Sequence, residues 1–169
     1  MKLEETLNTC QSRIQAEIIA KAVLDNDLLN DLVSILIGNN TLLSGRASWP
    51  AEIISSLYPH LFKPYCRLLI ESLNNKMHDA TKRQILKIIN RLKIPKTLQG
   101  KLISICYEWM LSSNEPYAVR VNAMSLLYTL SISYPELSDE LVLTIELLIG
   151  TIAPSFDSRA KKILNQIKK

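Results

Sequence analysis

Apolar residues recur every three or four positions through most of the chain, which is the spacing of one face of an α-helix. The row formed by Leu98, Leu102, Ile105 and Trp109 is one example, and similar rows occur in both halves of the sequence. No segment shows the regular alternation of apolar and polar residues that is typical of a half-buried strand. The pattern therefore predicts an all-α protein of nine helices.

Prolines and polar turn residues divide this pattern into segments. The apolar row at the start of the chain predicts one unbroken helix from Leu3 to about Asp25. Another helix is expected within 44–57, where Pro50 either starts it, with Ser48 as the N-cap, or kinks it. The other helices are expected from Leu28 to Gly38, from Pro64 to about Leu73, over Asp79–Leu92, after Thr97 as N-cap, around Val119–Leu130, after Ser138 as N-cap, and over Ser155–Ile167.

The composition agrees with helices packed around a core. Leu and Ile supply 48 of the 169 residues, whereas Val supplies 5 and Gly 4. This balance favours helix over strand, and the high apolar content excludes a disordered chain. The length suits one domain, which we expect to span residues 1–169.

An arginine recurs near the start of every second predicted helix. The five positions are Arg13, Arg46, Arg83, Arg120 and Arg159, at intervals of 33, 37, 37 and 39. Three or four places after each arginine comes an apolar or small residue: Ala16, Trp49, Leu86, Ala123 and Ile163. The clearest copy reads Val119-Arg120-x-x-Ala123, and leucines follow it at Leu127 and Leu130. A period near 37 residues indicates a repeat built from two helices.

This pattern resembles the HEAT-repeat family, in which pairs of antiparallel helices stack along the chain. The resemblance implies a short right-handed α-solenoid of four to five helix pairs, with the second helix of each pair on the concave surface. Each pair buries its apolar face only by stacking on its neighbours. We therefore expect the five arginines to form a structural ladder that holds successive repeats in register, the alternative being that Arg120 or Arg83 binds a ligand.

Positive charge is concentrated in the second part of the chain. The net charge is +4, made up of −3 over residues 1–60 and +7 over residues 61–169, and residues 76–101 hold eight basic residues against one acid. On the predicted second helices, the candidate ligand-binding residues are Arg83, Lys87, Arg91, Asn122, Arg159 and Lys162. They form either a basic groove for phosphates or an acidic protein, or an ordinary solvated helix surface.

No catalytic, metal-binding or cofactor-binding motif stands out. The two histidines, His60 and His78, lack metal-ligand spacing, and the three cysteines, Cys10, Cys66 and Cys106, are expected to be buried free thiols. We accordingly expect no enzymatic activity, no metal and no cofactor. The absence of a long apolar segment and of a leader-like N-terminus predicts a cytoplasmic protein without a membrane span.

Two functional hypotheses follow. The first is a non-enzymatic scaffold or adaptor that binds a protein partner on its concave face. The alternative is binding of nucleic acid, duplex DNA in particular, through a basic concave groove, as in the HEAT-like DNA glycosylases. Both leave open the identity of the partner and the oligomeric state.

Overall fold

The computed structural model describes residues 2–73 and 76–168. In this part of the chain there are ten α-helices, one 3₁₀ helix and no strand. The α-helices are α1 Leu3–Leu7, α2 Arg13–Asp25, α3 Leu29–Leu36, α4 Thr41–Leu57, α5 Cys66–Ser72, α6 Asp79–Asn90, α7 Lys96–Leu111, α8 Tyr117–Ser131, α9 Pro135–Leu148 and α10 Pro154–Ile167. The 3₁₀ helix, Pro59–Tyr65, lies between α4 and α5. The all-α fold predicted from the periodicity is confirmed.

The helices follow one another as five pairs, and each arginine of the predicted ladder lies on the second helix of its pair. These second helices are α2, α4, α6, α8 and α10. Because the paired elements recur with the arginine spacing, the period read from the sequence is the period of the helix pairs.

Contacts divide the chain into two compact units, residues 1–94 and 95–169. In the first unit α4 packs against α2, α3, α6 and the 3₁₀ helix, around a core that includes Ile54 and Phe62. In the second unit α8 packs against α7, α9 and α10, around a core that includes Leu127 and Phe156. In each unit, a second helix is thus the central element.

The single helix expected from Leu3 to Asp25 is wrong. Two helices occupy this range, because the Ser12 hydroxyl accepts a hydrogen bond from the Gln15 backbone N–H at 3.2 Å and caps a new helix, α2. The buried face of α2 is formed by Ala16, Ile19, Ala20 and Val23. Ile14 and Ile18, which the apolar row assigns to the core, are exposed.

Pro50 does not start a helix. Helix α4 begins at Thr41, nine residues earlier, where the Asn40 side chain accepts a hydrogen bond from the Leu43 N–H at 3.2 Å. Ser48 is therefore not an N-cap but a buried residue inside α4, and its hydroxyl donates to the Gly45 carbonyl at 2.7 Å.

Three other predicted helix starts are displaced by a few residues. Pro64 lies inside the 3₁₀ helix, and α5 begins at Cys66. Neither Thr97 nor Ser138 is an N-cap, because α7 already begins at Lys96 and α9 at Pro135. In α7 and α9 the rigid proline backbone sets the helix start without a side-chain cap.

Candidate functional site

Two of the five ladder arginines join separate elements. The Arg46 guanidinium donates to the backbone carbonyl of Asn8 at 2.6 Å and to its side-chain oxygen at 2.8 Å. Arg120 is buried, donates from Nε to the Met110 carbonyl at 2.9 Å, and lies 5.9 Å from the ring centroid of Phe156. Burial lowers the pKa of Arg120, an effect that Tyr117 partly offsets.

The other three ladder arginines do not join separate elements within the described residues. Arg13 pairs with Glu17 of its own helix at 2.8 Å, and Arg83 is half-buried with an Nε that has no hydrogen-bond partner among the described residues. Arg159 is exposed and makes no hydrogen bond or ion pair within residues 2–73 and 76–168. The ladder is therefore regular in position along the chain but not in its bonds.

Several side-chain hydrogen bonds span one repeat period. Arg46 is hydrogen-bonded to Asn8, 38 residues earlier in the chain. The Tyr134 hydroxyl donates at 2.5 Å to the side chain of Gln99, 35 residues earlier. The hydroxyls of Ser44 and Thr81, 37 residues apart, are 3.1 Å from each other. Such bonds link equivalent parts of successive helix pairs, so they stabilise the stacking of repeats within each unit.

In the first unit, the candidate ligand-binding residue Arg91 is bound to the neighbouring repeat. Its Nη2 lies 2.6 Å from Glu52 Oε1, and its Nη1 donates to Ser55 Oγ at 2.8 Å. Lys87 and Arg83 are half-buried on α6. Glu52 thus neutralises Arg91, one of the three basic residues in this unit that the sequence predicts to bind a ligand.

The second unit holds the other three predicted residues. Asn122 donates to the Ala118 carbonyl of its own helix at 2.6 Å. Arg159 and Lys162 are exposed on α10, and like Arg159, Lys162 has no hydrogen bond or ion pair in the described part of the chain. Of the candidates in this unit, these two present uncompensated charge.

A groove that the sequence did not reveal lies between α2, the end of α4 and the 3₁₀ helix. Its volume is about 730 Å³. The apolar residues that line it are Ala20, Leu24, Ile53, Ile54, Leu57 and Leu61. Along its α2 edge lie Arg13, Glu17, Lys21 and Asp25, and Tyr58 lies at the α4 end. The one signal in the sequence is this charged residue at every fourth position, which places all four on one side of a helix.

The remaining reactive side chains do not gather into a site. Cys10, Cys66 and Cys106 are buried free thiols, and burial raises the pKa of each. No group of three or more His, Cys, Asp or Glu side chains that could hold a metal ion occurs among the described residues. Within the same residues, every helix is too short or too polar to cross a bilayer.

Paired helices with a period near 37 residues and period-spanning hydrogen bonds define a helical-repeat protein. A family model for the HEAT repeat domain matches residues 3–167. Because this match covers nearly the whole chain, the protein belongs to the HEAT repeat family, as the arginine pattern predicts. No curated protein and no solved structure matches the chain.

Proposed function

We propose that the protein is a non-catalytic helical-repeat scaffold that holds a segment of a protein partner in the groove between α2 and α4. HEAT repeats typically mediate protein interactions, which supports the coarser part of this proposal. The observation that carries the finer part is the groove itself, about 730 Å³ with an apolar floor and a charged edge. Two of the three elements that flank it, α2 and α4, are second helices of their pairs, the helices that the family resemblance assigns to the concave surface.

The groove lining indicates what kind of segment fits. Leu57 and Tyr58 are exposed large apolar residues that a bound partner would cover. On the α2 edge, Arg13 and Glu17 neutralise each other, whereas Lys21 and Asp25 have no ion-pair partner in the described residues. A helical segment with apolar residues one turn apart, and one charge of each sign beside them, complements this lining.

Site-specific photo-crosslinking tests the proposal. A photoreactive residue in place of Leu57 is expected to capture a partner in cells, whereas the same residue in place of Leu111, which is equally apolar, exposed and in the other unit, is not. The purified partner should then bind the wild-type protein and lose affinity by about tenfold or more on Leu57→Asp. If Leu57→Asp and Lys21→Glu leave that affinity unchanged, the groove is not the binding site.

Duplex DNA remains the second candidate, because Arg159 and Lys162 are exposed basic residues with no ion-pair partner in the described part of the chain. Binding to a DNA duplex should weaken steeply with salt and fall further on Arg159→Glu with Lys162→Glu. In the first unit, the corresponding double substitution is Arg83→Glu with Lys87→Glu. Arg91 is a poor test position, since Arg91→Glu would place a second carboxylate against Glu52. No binding at low salt would eliminate this candidate.

A further inference from the structure

Helix α9 carries an exposed face that the core does not use. Leu137, Leu141 and Ile145 form its buried side. Leu143 and Leu147, one helical turn apart, are 64% and 79% exposed. Leucines in such a row on the solvent side of a helix present apolar surface that the second unit itself leaves uncovered.

All charged side chains of α9 are acidic. They are Glu136, Asp139, Glu140 and Glu146, and each is exposed. Glu136 and Glu140 lie seven and three positions before Leu143, and Asp139 lies four before it, so the carboxylates surround the leucines on the same side of the helix. Glu146 has one long ion pair, 3.4 Å to Lys168, and the other three have none in the described residues.

We propose that this surface, the acidic leucine face of α9 (Leu143, Leu147, Glu136, Asp139, Glu140 and Glu146), docks a basic amphipathic helix of a partner protein. A helix matches it because apolar residues three or four apart on the partner would meet the row of two leucines. Lysine or arginine beside those apolar residues complements the four carboxylates, which repel anionic surfaces such as most membranes.

The α9 surface lies in the second unit and the groove in the first, so the two proposals stand on separate residues. Loss of binding at one surface leaves the other untouched.

Peptide binding tests the assignment directly on the full chain. The probe is a synthetic helical peptide with leucines along one face and lysines elsewhere, and its affinity is measured by fluorescence anisotropy. Leu143→Ser with Leu147→Ser should weaken binding about tenfold or more. Glu136→Gln with Glu140→Gln should weaken it at low salt, by a factor that shrinks as salt screens the charges.

Ile132→Ser is the matched control, because Ile132 is 71% exposed in the same unit and lies outside the α9 surface. This variant should bind the peptide like the wild type. Circular dichroism confirms that each variant is folded, as expected for substitutions of exposed residues.

Three results would overturn the proposal. One is equal binding of a peptide in which glutamate replaces every lysine. Another is affinity for vesicles of anionic lipid that the leucine variant abolishes. The third is a concentration-dependent dimer, seen by sedimentation, that dissociates in the leucine variant, since this would assign the face to a second copy of the chain.

Discussion

Arg91 and Arg13 each pair with a glutamate, but the environments of the two pairs differ. The side chains of Arg91 and Glu52 are 31% and 16% exposed, whereas those of Arg13 and Glu17 are 72% and 49% exposed. Arg91 also bonds Ser55, so its guanidinium fork is held at two points on the preceding repeat. A charge-assisted bond is stronger where less water competes for it.

Arg91→Ala should therefore lower the free energy of unfolding by about 1.5–3 kcal/mol, because it leaves the half-buried Glu52 carboxylate without its partner. Arg13→Ala removes an exposed pair within one helix and should cost about 0.3–0.5 kcal/mol. Urea unfolding of both variants measures the difference. Equal effects would show that Arg91 does not fasten α6 to α4.

Tyr107 is a second residue whose surroundings change its properties, in this case the pKa of its hydroxyl. Its hydroxyl is buried and has no hydrogen-bond partner among the described residues. Burial, together with the negative charge of Glu140, raises the pKa of Tyr107 to about 12. The folded protein therefore keeps this proton at a pH where the unfolded chain, with an ordinary tyrosine pKa near 10, has released it.

A group whose pKa is raised on folding stabilises the protein fully below the unfolded pKa, and this contribution is lost as pH rises. The wild type should therefore lose stability between about pH 10 and 12 that Tyr107→Phe does not lose. At pH 7, Tyr107→Phe should not destabilise the protein, because it removes an unpaired hydroxyl. Denaturant unfolding at pH 7 and across the alkaline range checks both. Parallel pH profiles of the two proteins would contradict the expectation.

At the scale of elements, a pair of buried hydroxyls joins α4 to α6. Ser44 Oγ lies 2.6 Å from the Leu36 carbonyl and 3.1 Å from Thr81 Oγ1. A carbonyl oxygen only accepts, so the Ser44 hydroxyl donates to Leu36. The Thr81 hydroxyl must then be the donor to Ser44, and this order makes the two residues unequal.

Ser44→Ala should destabilise the protein more than Thr81→Val. The serine substitution leaves both the Leu36 carbonyl and the buried Thr81 hydroxyl without this partner, at a cost of about 2–3 kcal/mol. The threonine substitution keeps the shape and the Ser44–Leu36 bond and should cost about 1 kcal/mol. Thermal unfolding of the two variants ranks them, and the reverse order would refute this direction of donation.

The helix boundaries show which features of the helices can be predicted from local sequence patterns and which cannot. Ser12-x-x-Gln15 has the form of a capping box and marks the start of α2 in the sequence itself, yet the apolar row through Ile14 and Ile18 conceals it. The continuity of α4 through Pro50 has no such local sign. Pro50 and the residues around it are buried against neighbouring elements, and this packing outweighs the local cost of a proline inside a helix.

At the scale of the molecule, each compact unit contains one of the two tryptophans. Trp49 lies in α4 of the first unit and Trp109 in α7 of the second. Fluorescence of Trp109→Phe therefore reports on the first unit, and that of Trp49→Phe on the second. The chain offers a direct test of whether its two units unfold together.

The single domain expected from the length predicts that both tryptophans report the same urea midpoint and the same slope, equal to those seen by circular dichroism. Each substitution also shifts stability, so circular dichroism of the same variant is the control. Separate midpoints for fluorescence and circular dichroism in either variant would mean that the two units fold as independent domains.

The sequence by itself determined the helical fold, the repeat period and the family. These depend on features that each repeat carries locally, namely apolar spacing, prolines and an arginine at a fixed place. They can therefore be predicted without knowledge of the tertiary contacts. Only the tertiary structure decided that Arg91 meets Glu52, that the buried Arg120 lies over the ring of Phe156, and that Ile14 and Leu143 face solvent. A period limits how far apart two partners lie along the chain. Which donor meets which acceptor depends on how the helices rotate and stack, and that is a property of the folded molecule.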